Sequence, residues 1–167
     1  MWIIEILKCA LFHVIFIILS MSLNINKRLS DEFYRYKIPM VEIKLIGKGN
    51  GKRTILTNIE SIAKGLNRPI LYLMKFLSYY LGTQFRLDKH TKLYILNGSQ
   101  DQVKLRELIF DFIEKYILCR LCHNPETSLK VNVKRKIIRC FCSACGNYFE
   151  ISGTDKLGKF ILKNHVE

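Results

Sequence analysis

Acidic residues are the scarce class in this chain. Asp and Glu number 14 against 27 Lys and Arg, which leaves a formal net charge of +13 and an isoelectric point near 9.6. So one-sided a balance argues against a cationic partner and favours an acidic protein surface or nucleic-acid phosphates. Cysteine is also missing from most of the sequence: five of the six fall within residues 119–145 and the other is Cys9. An extracellular disulfide framework spreads its cysteines, so this crowding favours a reducing compartment. Internal repeats and low-complexity linkers are absent. Long apolar runs are concentrated in residues 1–20, and the uncharged apolar stretch, Cys9 to Leu23, is about fifteen residues. That is short of the roughly 20 a spanning helix needs. The same segment lacks a strongly basic start and a clean small-x-small cleavage site, so a secretory signal does not fit. A membrane role is not expected. With 167 residues, 49% of them hydrophobic, the chain is one medium domain or two small ones.

What is present in abundance near the C-terminus is chemistry for a metal. Cys119-Arg120-Leu121-Cys122 is followed, nineteen residues later, by Cys142-Ser143-Ala144-Cys145. Four converging thiolates satisfy a tetrahedral zinc ion completely and leave no open coordination position. Residues Ser128 to Phe141 are long enough for one hairpin that brings the pairs together, and Gly146 suits the positive-φ turn of such a knuckle. Cys140 is an alternative ligand, although the two-residue spacing selects Cys142 with Cys145. Two disulfides and a redox Cys-x-x-Cys are the competing readings.

Upstream, residues 21–39 show neither helical nor strand periodicity and read as an extended polar tail. Val41, Ile43 and Leu45 alternate with Glu42 and Lys44 as a half-buried strand, and Thr54 to Leu56 return as a second. Thr57-Asn58-Ile59-Glu60 has the form of a capping box opening a helix with Ile59, Ile62, Ala63 and Leu66 on its apolar face. Pro69 suits the first position of the next helix, which carries Leu73, Phe76, Leu77 and Tyr80 and ends at Gly82. Strands follow near Thr83–Leu87 and Leu93–Leu96. Ser99-x-x-Gln102 caps a third helix whose stripe runs through Leu105, Leu108, Ile109, Phe112, Ile113 and Tyr116. The fold class is α+β: a small mixed α/β domain of about four strands and three helices over residues 40–116, then a four-cysteine zinc ribbon with a short terminal helix over 117–167.

Three further segments are candidate sites. Gly47, Lys48, Gly49, Asn50, Gly51, Lys52, Arg53 and Thr54 form a glycine-rich basic loop. It departs from the phosphate-loop pattern in glycine spacing, in the intrusion of Arg53, and in sitting inside a hairpin. It reads chiefly as a partner-contacting loop, with nucleotide binding as the lesser alternative. Lys130, Lys134, Arg135, Lys136 and Arg139 crowd the hairpin between the cysteine pairs, with Tyr148 and Phe149 beyond, as a nucleic-acid face or simply a solvated one. Phe33-Tyr34-Arg35-Tyr36-Lys37 places aromatics and cations in a segment with no core of its own. Such a segment docks on the domain or reaches a partner, and a mobile guanidinium is what an arginine finger requires.

Several stretches, taken in order, resemble one family. They are Met21-Ser-x-Asn24-x-Asn26, Ser30-Asp31-x-Phe33-Tyr34-Arg35-Tyr36-Lys37-x-Pro39, Gly47 to Gly51, Leu66-Asn67-Arg68-Pro69 and Leu81-Gly82-x-Gln84. Tyr94-Ile95-x-Asn97-Gly98-Ser99, Cys119-x-x-Cys122-x-Asn124-Pro125-Glu126-Thr127, Cys142-x-Ala144-Cys145-Gly146 and Phe160 to Asn164 continue the series. Together they resemble the N-terminal module of eukaryotic translation initiation factor 5 and, in layout, the beta subunit of initiation factor 2. The Phe-Tyr-Arg-Tyr-Lys segment resembles factor 5 alone. The resemblance implies a cytoplasmic, non-enzymatic GTPase activator for initiation factor 2, whose gamma and beta subunits with GTP are its partners. It would act on the small ribosomal subunit with the initiator tRNA complex, with a possible ribosomal RNA contact. It implies the catalytic arginine at Arg35, supporting basic contacts at Arg53 and Lys75, and structural Zn2+ at Cys119, Cys122, Cys142 and Cys145. The family start coincides with Met21, so residues 1–20 are expected to be an upstream extension or a weak anchor. In that family an acidic linker and a helical-repeat domain follow where this chain reaches Glu167. The alternative is a ribosome- or RNA-binding zinc module, like the beta subunit, without activator function.

Overall fold

A computed structural model describes residues 22–88 and 90–164. The expectations for residues 1–20 lie outside the described residues. Among the described residues no helix is long and apolar enough to cross a membrane.

Two three-residue strands, β1 (Ser22–Asn24) and β2 (Lys37–Pro39), pair antiparallel with Leu23 opposite Ile38. This corrects the reading of residues 21–39 as a tail without strands. The physical reason is burial at the neck of the loop. Ile25 and Ile38 are each 2% exposed, and β2 lies so close to the helix ending at Gly65 that a Cβ on Gly65 would stand 3.1 Å from Ile38 Cγ2. Strands β3 (Ile43–Ile46), β4 (Arg53–Leu56), β5 (Phe85–Leu87) and β6 (Tyr94–Asn97) form an antiparallel sheet in the order β3-β4-β6-β5. A single 3-10 turn, Gly49–Gly51, bends the β3–β4 hairpin.

Helices α1 (Ile59–Gly65), α2 (Ile70–Leu81) and α3 (Gln102–Tyr116) cover this sheet with the apolar faces their spacing implied. The rings of Phe76, Phe112 and Tyr116 meet at centroid distances of 5.3, 5.9 and 5.4 Å at the α2–α3 contact. Gly82 ends α2 in the left-handed conformation at φ +63, as expected of a C-terminal glycine. Two caps move. Thr57 does not cap α1, because its hydroxyl turns to Glu42, and the N-cap residue is Asn58, whose amide instead tethers Met40 and Glu42. At α3 the cap is Asp101, which accepts from Lys104 N, and not Ser99.

The C-terminal part is a three-stranded antiparallel sheet, β7 (Thr127–Asn132), β8 (Ile137–Cys142) and β9 (Tyr148–Ile151), followed by α4 (Lys156–Asn164). The third strand adds to the single hairpin read from the sequence. The inner face of this sheet joins the same apolar core as the helices through Ile138 and Ile151, and α4 joins it through Leu157 and Ile161. Helix α4 closes the structure, with Phe160 edge-on to Tyr72 of α2 at 6.3 Å. The fold is therefore α+β, a four-stranded sheet with three helices joined to a cysteine-bearing ribbon.

Candidate metal centre and Arg35 loop

Both cysteine pairs are bent by the same local device. In the first, Cys119 N–H donates to Asn124 O at 3.1 Å, His123 N–H donates to Cys119 O at 3.0 Å, and His123 is left-handed at φ +55. In the second, Cys142 N–H donates to Asn147 O at 2.9 Å, Gly146 N–H donates to Cys142 O at 3.0 Å, and Gly146 is left-handed at φ +72. The knuckles are tied to each other by Ser143 N–H donating to Glu126 O at 2.9 Å.

The four sulfurs converge. All lie within 4.8 Å of one another, with Cys119 to Cys145 at 3.7 Å and Cys122 to Cys142 at 3.5 Å. Tetrahedral bonds of about 2.3 Å require sulfurs about 3.8 Å apart, so the quartet fits such an ion. Burial alone would raise the Cys119 thiol, but N–H groups of Cys122 and Leu121 and the neighbouring sulfurs bring it down to about 7. The N–H of Asn124 favours the Cys122 thiolate, yet burial and the Cys142, Cys145 and Cys119 sulfurs push that thiol up to about 12. Four sulfurs at this spacing cannot all be thiolates unless a cation shares the site. The geometry can hold a metal ion, with every position taken by sulfur.

Cys140 belongs elsewhere. It is buried 3.7 Å from Arg68 Nη2, and burial pushes its thiol up against the opposing influence of Thr127 and Arg68. Arg68 is 7% exposed and has no carboxylate partner among the described residues. Its Nη1 donates to Asn67 O at 2.9 Å and Thr127 O at 2.6 Å, while Nη2 donates to Tyr116 O at 3.1 Å and Thr127 Oγ1 at 2.8 Å. Burial draws the guanidinium below its ordinary pKa. One cation thus links the break before α2, the end of α3 and the first ribbon strand. The sequence placed Arg68 only within a family-matching stretch just before the second helix, with no sign of its burial.

Arg35 lies in the loop between β1 and β2. Around it Asn24 Nδ2 donates to Leu29 O at 2.8 Å and Asp31 O at 2.9 Å, and Arg28 Nη2 donates to Glu114 Oε1 of α3 at 2.8 Å. The Arg35 side chain is exposed, and among the described residues its guanidinium makes no hydrogen bond or ion pair. Its Cζ stands 5.6 Å from the Tyr36 ring centroid. The Tyr36 hydroxyl donates to Glu126, and this bond holds it above its usual pKa. Glu126 in turn is fixed by the knuckles, since its N–H donates to Asn124 Oδ1 at 2.8 Å. Phe33, in the same loop, is 92% exposed. Tyr36 and Glu126 therefore latch the Arg35 loop to the cysteine ribbon, a contact between residues ninety positions apart that the sequence did not signal.

The other candidates separate. The Gly47–Thr54 segment is a hairpin between antiparallel strands, so it offers no helix N-terminus to a phosphate. The Thr54 hydroxyl is spent inside the sheet, donating to Gly98 O at 2.8 Å and accepting from Gln100 N at 2.9 Å. Gly47, at φ +86, admits no side chain, because a Cβ there would meet Gly51 O at 2.4 Å. Arg53 is exposed, opposite Asn97. Lys75 is half-buried, its Nζ 5.9, 5.3 and 5.3 Å from the rings of Tyr79, Phe85 and Phe160. No hydrogen bond or ring contact among the described residues joins Arg35, Arg53 and Lys75.

Comparison with known proteins gives a consistent family. Residues 26–148 match the model described as a domain found in initiation factors 2B and 5. Eukaryotic translation initiation factor 5 of Mus musculus is 45% identical over 147 residues, covering 88% of this chain and 34% of that protein. The factor 5 of Caenorhabditis elegans is 44% identical over 144 residues, 86% of this chain and 33% of that protein. For Saccharomyces cerevisiae the identity is 38% over 144 residues, 86% of this chain and 35% of that protein. The chain spans about a third of the length of the curated relatives it matches. On this match over most of its length, the chain belongs to the family of domains found in initiation factors 2B and 5, the family of translation initiation factor 5.

Proposed function

We propose that this chain is a GTPase-activating module of translation initiation that supplies Arg35 in trans to the nucleotide site of initiation factor 2. The observation that carries this reading is the state of Arg35: exposed, with no hydrogen bond or ion pair among the described residues, yet held by a loop pinned at both ends and latched through Tyr36. An unspent, planar guanidinium on a fixed support suits neutralisation of charge that develops on a transferring phosphoryl group. GTP and the hydrolytic water belong to the partner, so this chain is not itself the enzyme. Its partners on this reading are the gamma and beta subunits of initiation factor 2 with GTP, on a cytoplasmic small ribosomal subunit carrying initiator tRNA. Arg53 is a supporting contact free to reach a partner, whereas Lys75 acts from within its ring cage. Residues 21–39 carry the finger, 40–116 dock, and 117–167 support.

Cys119, Cys122, Cys142 and Cys145 would hold Zn2+, which when bound supplies rigidity and no open position for catalysis. Glu126 and Tyr36 then carry that rigidity to Arg35. A second reading, an RNA-binding initiation module without activator function, is favoured by the basic face of the ribbon. Dependence on Arg35 separates the two. Single-turnover GTP hydrolysis by initiation factor 2 in preinitiation complexes should be stimulated by this chain and not by its Arg35→Met variant. Equal stimulation by both would end the activator reading.

A further inference from the structure

We propose that the outer face of the three-stranded ribbon sheet binds an unpaired RNA strand, with bases stacked on Phe141 and Tyr148 and phosphates met by the surrounding cations. Strand register assembles the surface. Phe141 stands opposite Tyr148 in one row, and Lys130, Arg139 and Glu150 fill the next. The alternate residues Ile138 and Cys140 point inward to the core. The two rings lie 5.6 Å apart at an interplanar angle of 32°, and Tyr148 is 57% exposed. Each ring has its own cation, Lys130 Nζ 4.8 Å from the Phe141 centroid and Arg139 Cζ 5.4 Å from that of Tyr148.

A groove of about 240 Å³ runs beside the pair, lined in part by Lys130, Arg135, Arg139 and Phe141. The β7–β8 turn adds exposed Lys134 and Lys136. Glu150 is the acid on this face, and it is already paired with Arg139 at 3.1 Å. One exposed ring, Tyr148, beside the half-buried ring of Phe141 and flanked by cations, matches the stacking platform and electrostatic track of single-strand binders. A duplex keeps its bases stacked internally and gains nothing from the rings. An acidic peptide would use the cations alone. The proposal rests on the RNA-binding reading of the ribbon face and names its ligand; it does not depend on Arg35, so loss of GTPase stimulation in Arg35→Met leaves it untouched.

The test is fluorescence anisotropy with the full, zinc-loaded chain and a labelled single-stranded RNA of about ten nucleotides in about 0.1 M KCl. The matching duplex and polyglutamate serve as competitors. Tyr148→Ala should weaken single-strand binding by roughly 5- to 100-fold, and Tyr148→Phe should restore it. Lys134→Ala should weaken single strand and duplex alike and reduce the salt slope by about one. Glu150→Gln, which removes the acidic charge and frees Arg139 from its ion pair, should tighten binding, and it remains decisive if Tyr148→Ala disturbs folding. Unchanged affinity in Tyr148→Ala with a normal melt, duplex binding as tight as single strand, charge-matched displacement by polyglutamate, or no gain in Glu150→Gln would each overturn the proposal.

Discussion

Replacing Arg68 by methionine keeps a long side chain in place but deletes all the donors of the guanidinium at the junction of α2, α3 and β7. Three oxygen acceptors lose this partner in the interior, Thr127 O, Tyr116 O and Thr127 Oγ1, besides the weak contact to Cys140 Sγ. Asn67 is exposed, so its carbonyl can turn to water. A buried acceptor left unsatisfied costs about 1–3 kcal/mol, so the gross loss is about 3–9 kcal/mol. Removing the cation also removes its desolvation penalty, several kcal/mol for a buried ion, and the orphaned Arg68 Nε goes with it. The net expectation is a loss of about 3 kcal/mol, a change of roughly 150-fold in the folding equilibrium. Arg68→Lys keeps a charge but cannot span both Thr127 and Tyr116, so it should recover less than half of that loss. Urea unfolding of the zinc-loaded protein, with hydrogen exchange read at β7 amides, measures both variants. A loss below about 1 kcal/mol in Arg68→Met would refute the claim that this one side chain joins ribbon to helices.

The remaining predictions concern metal, pH and the latch. Chelation should release one zinc per chain and unfold the ribbon, since structural zinc contributes about 10–16 kcal/mol in small sites; metal analysis should find the stoichiometry kept in Cys140→Ala and lost in Cys142→Ala. Tyr116 is buried and its hydroxyl donates to Asp155 Oδ2 at 2.5 Å, both of which raise its pKa well above the usual value. The unfolded chain therefore loses that proton first, so the contribution is complete below about pH 10 and declines above it; denaturation against pH should show this decline reduced in Tyr116→Phe. Tyr36→Phe deletes an exposed hydroxyl, so stability should change by less than about 0.5 kcal/mol. Its stimulation of GTP hydrolysis should nevertheless fall several-fold at unchanged partner affinity, because Arg35 loses its latch to Glu126.

Much of the fold was legible because its signals are local. Apolar spacing in Leu105 to Tyr116, the terminal Gly82 and the paired cysteines each act within a few residues of themselves. The misses share a different cause, partners distant in sequence. Strands of three residues, such as Ser22–Asn24, are too short to show a period, and their pairing with Lys37–Pro39 is fixed by burial of Ile25 and Ile38. Thr57 met the capping pattern, but Glu42, fifteen residues earlier, claims its hydroxyl. Arg68 looked like any cation in a helix break, since nothing local distinguishes a buried guanidinium from a solvated one. The quartet was readable from spacing, whereas its link to Arg35 depends on a bond between Tyr36 and Glu126 that only the folded chain creates.

The central claim is that Arg35, presented by a loop braced on the cysteine ribbon, completes a partner's GTP site. Its most direct test is the single-turnover rate of GTP hydrolysis by initiation factor 2 in preinitiation complexes, with binding of each variant measured alongside. Arginine fingers contribute roughly 10³–10⁵ in rate, so Arg35→Met should abolish stimulation while binding and melting are retained, and Arg35→Lys should restore only a small part. Full stimulation by Arg35→Met at equal binding would contradict the account.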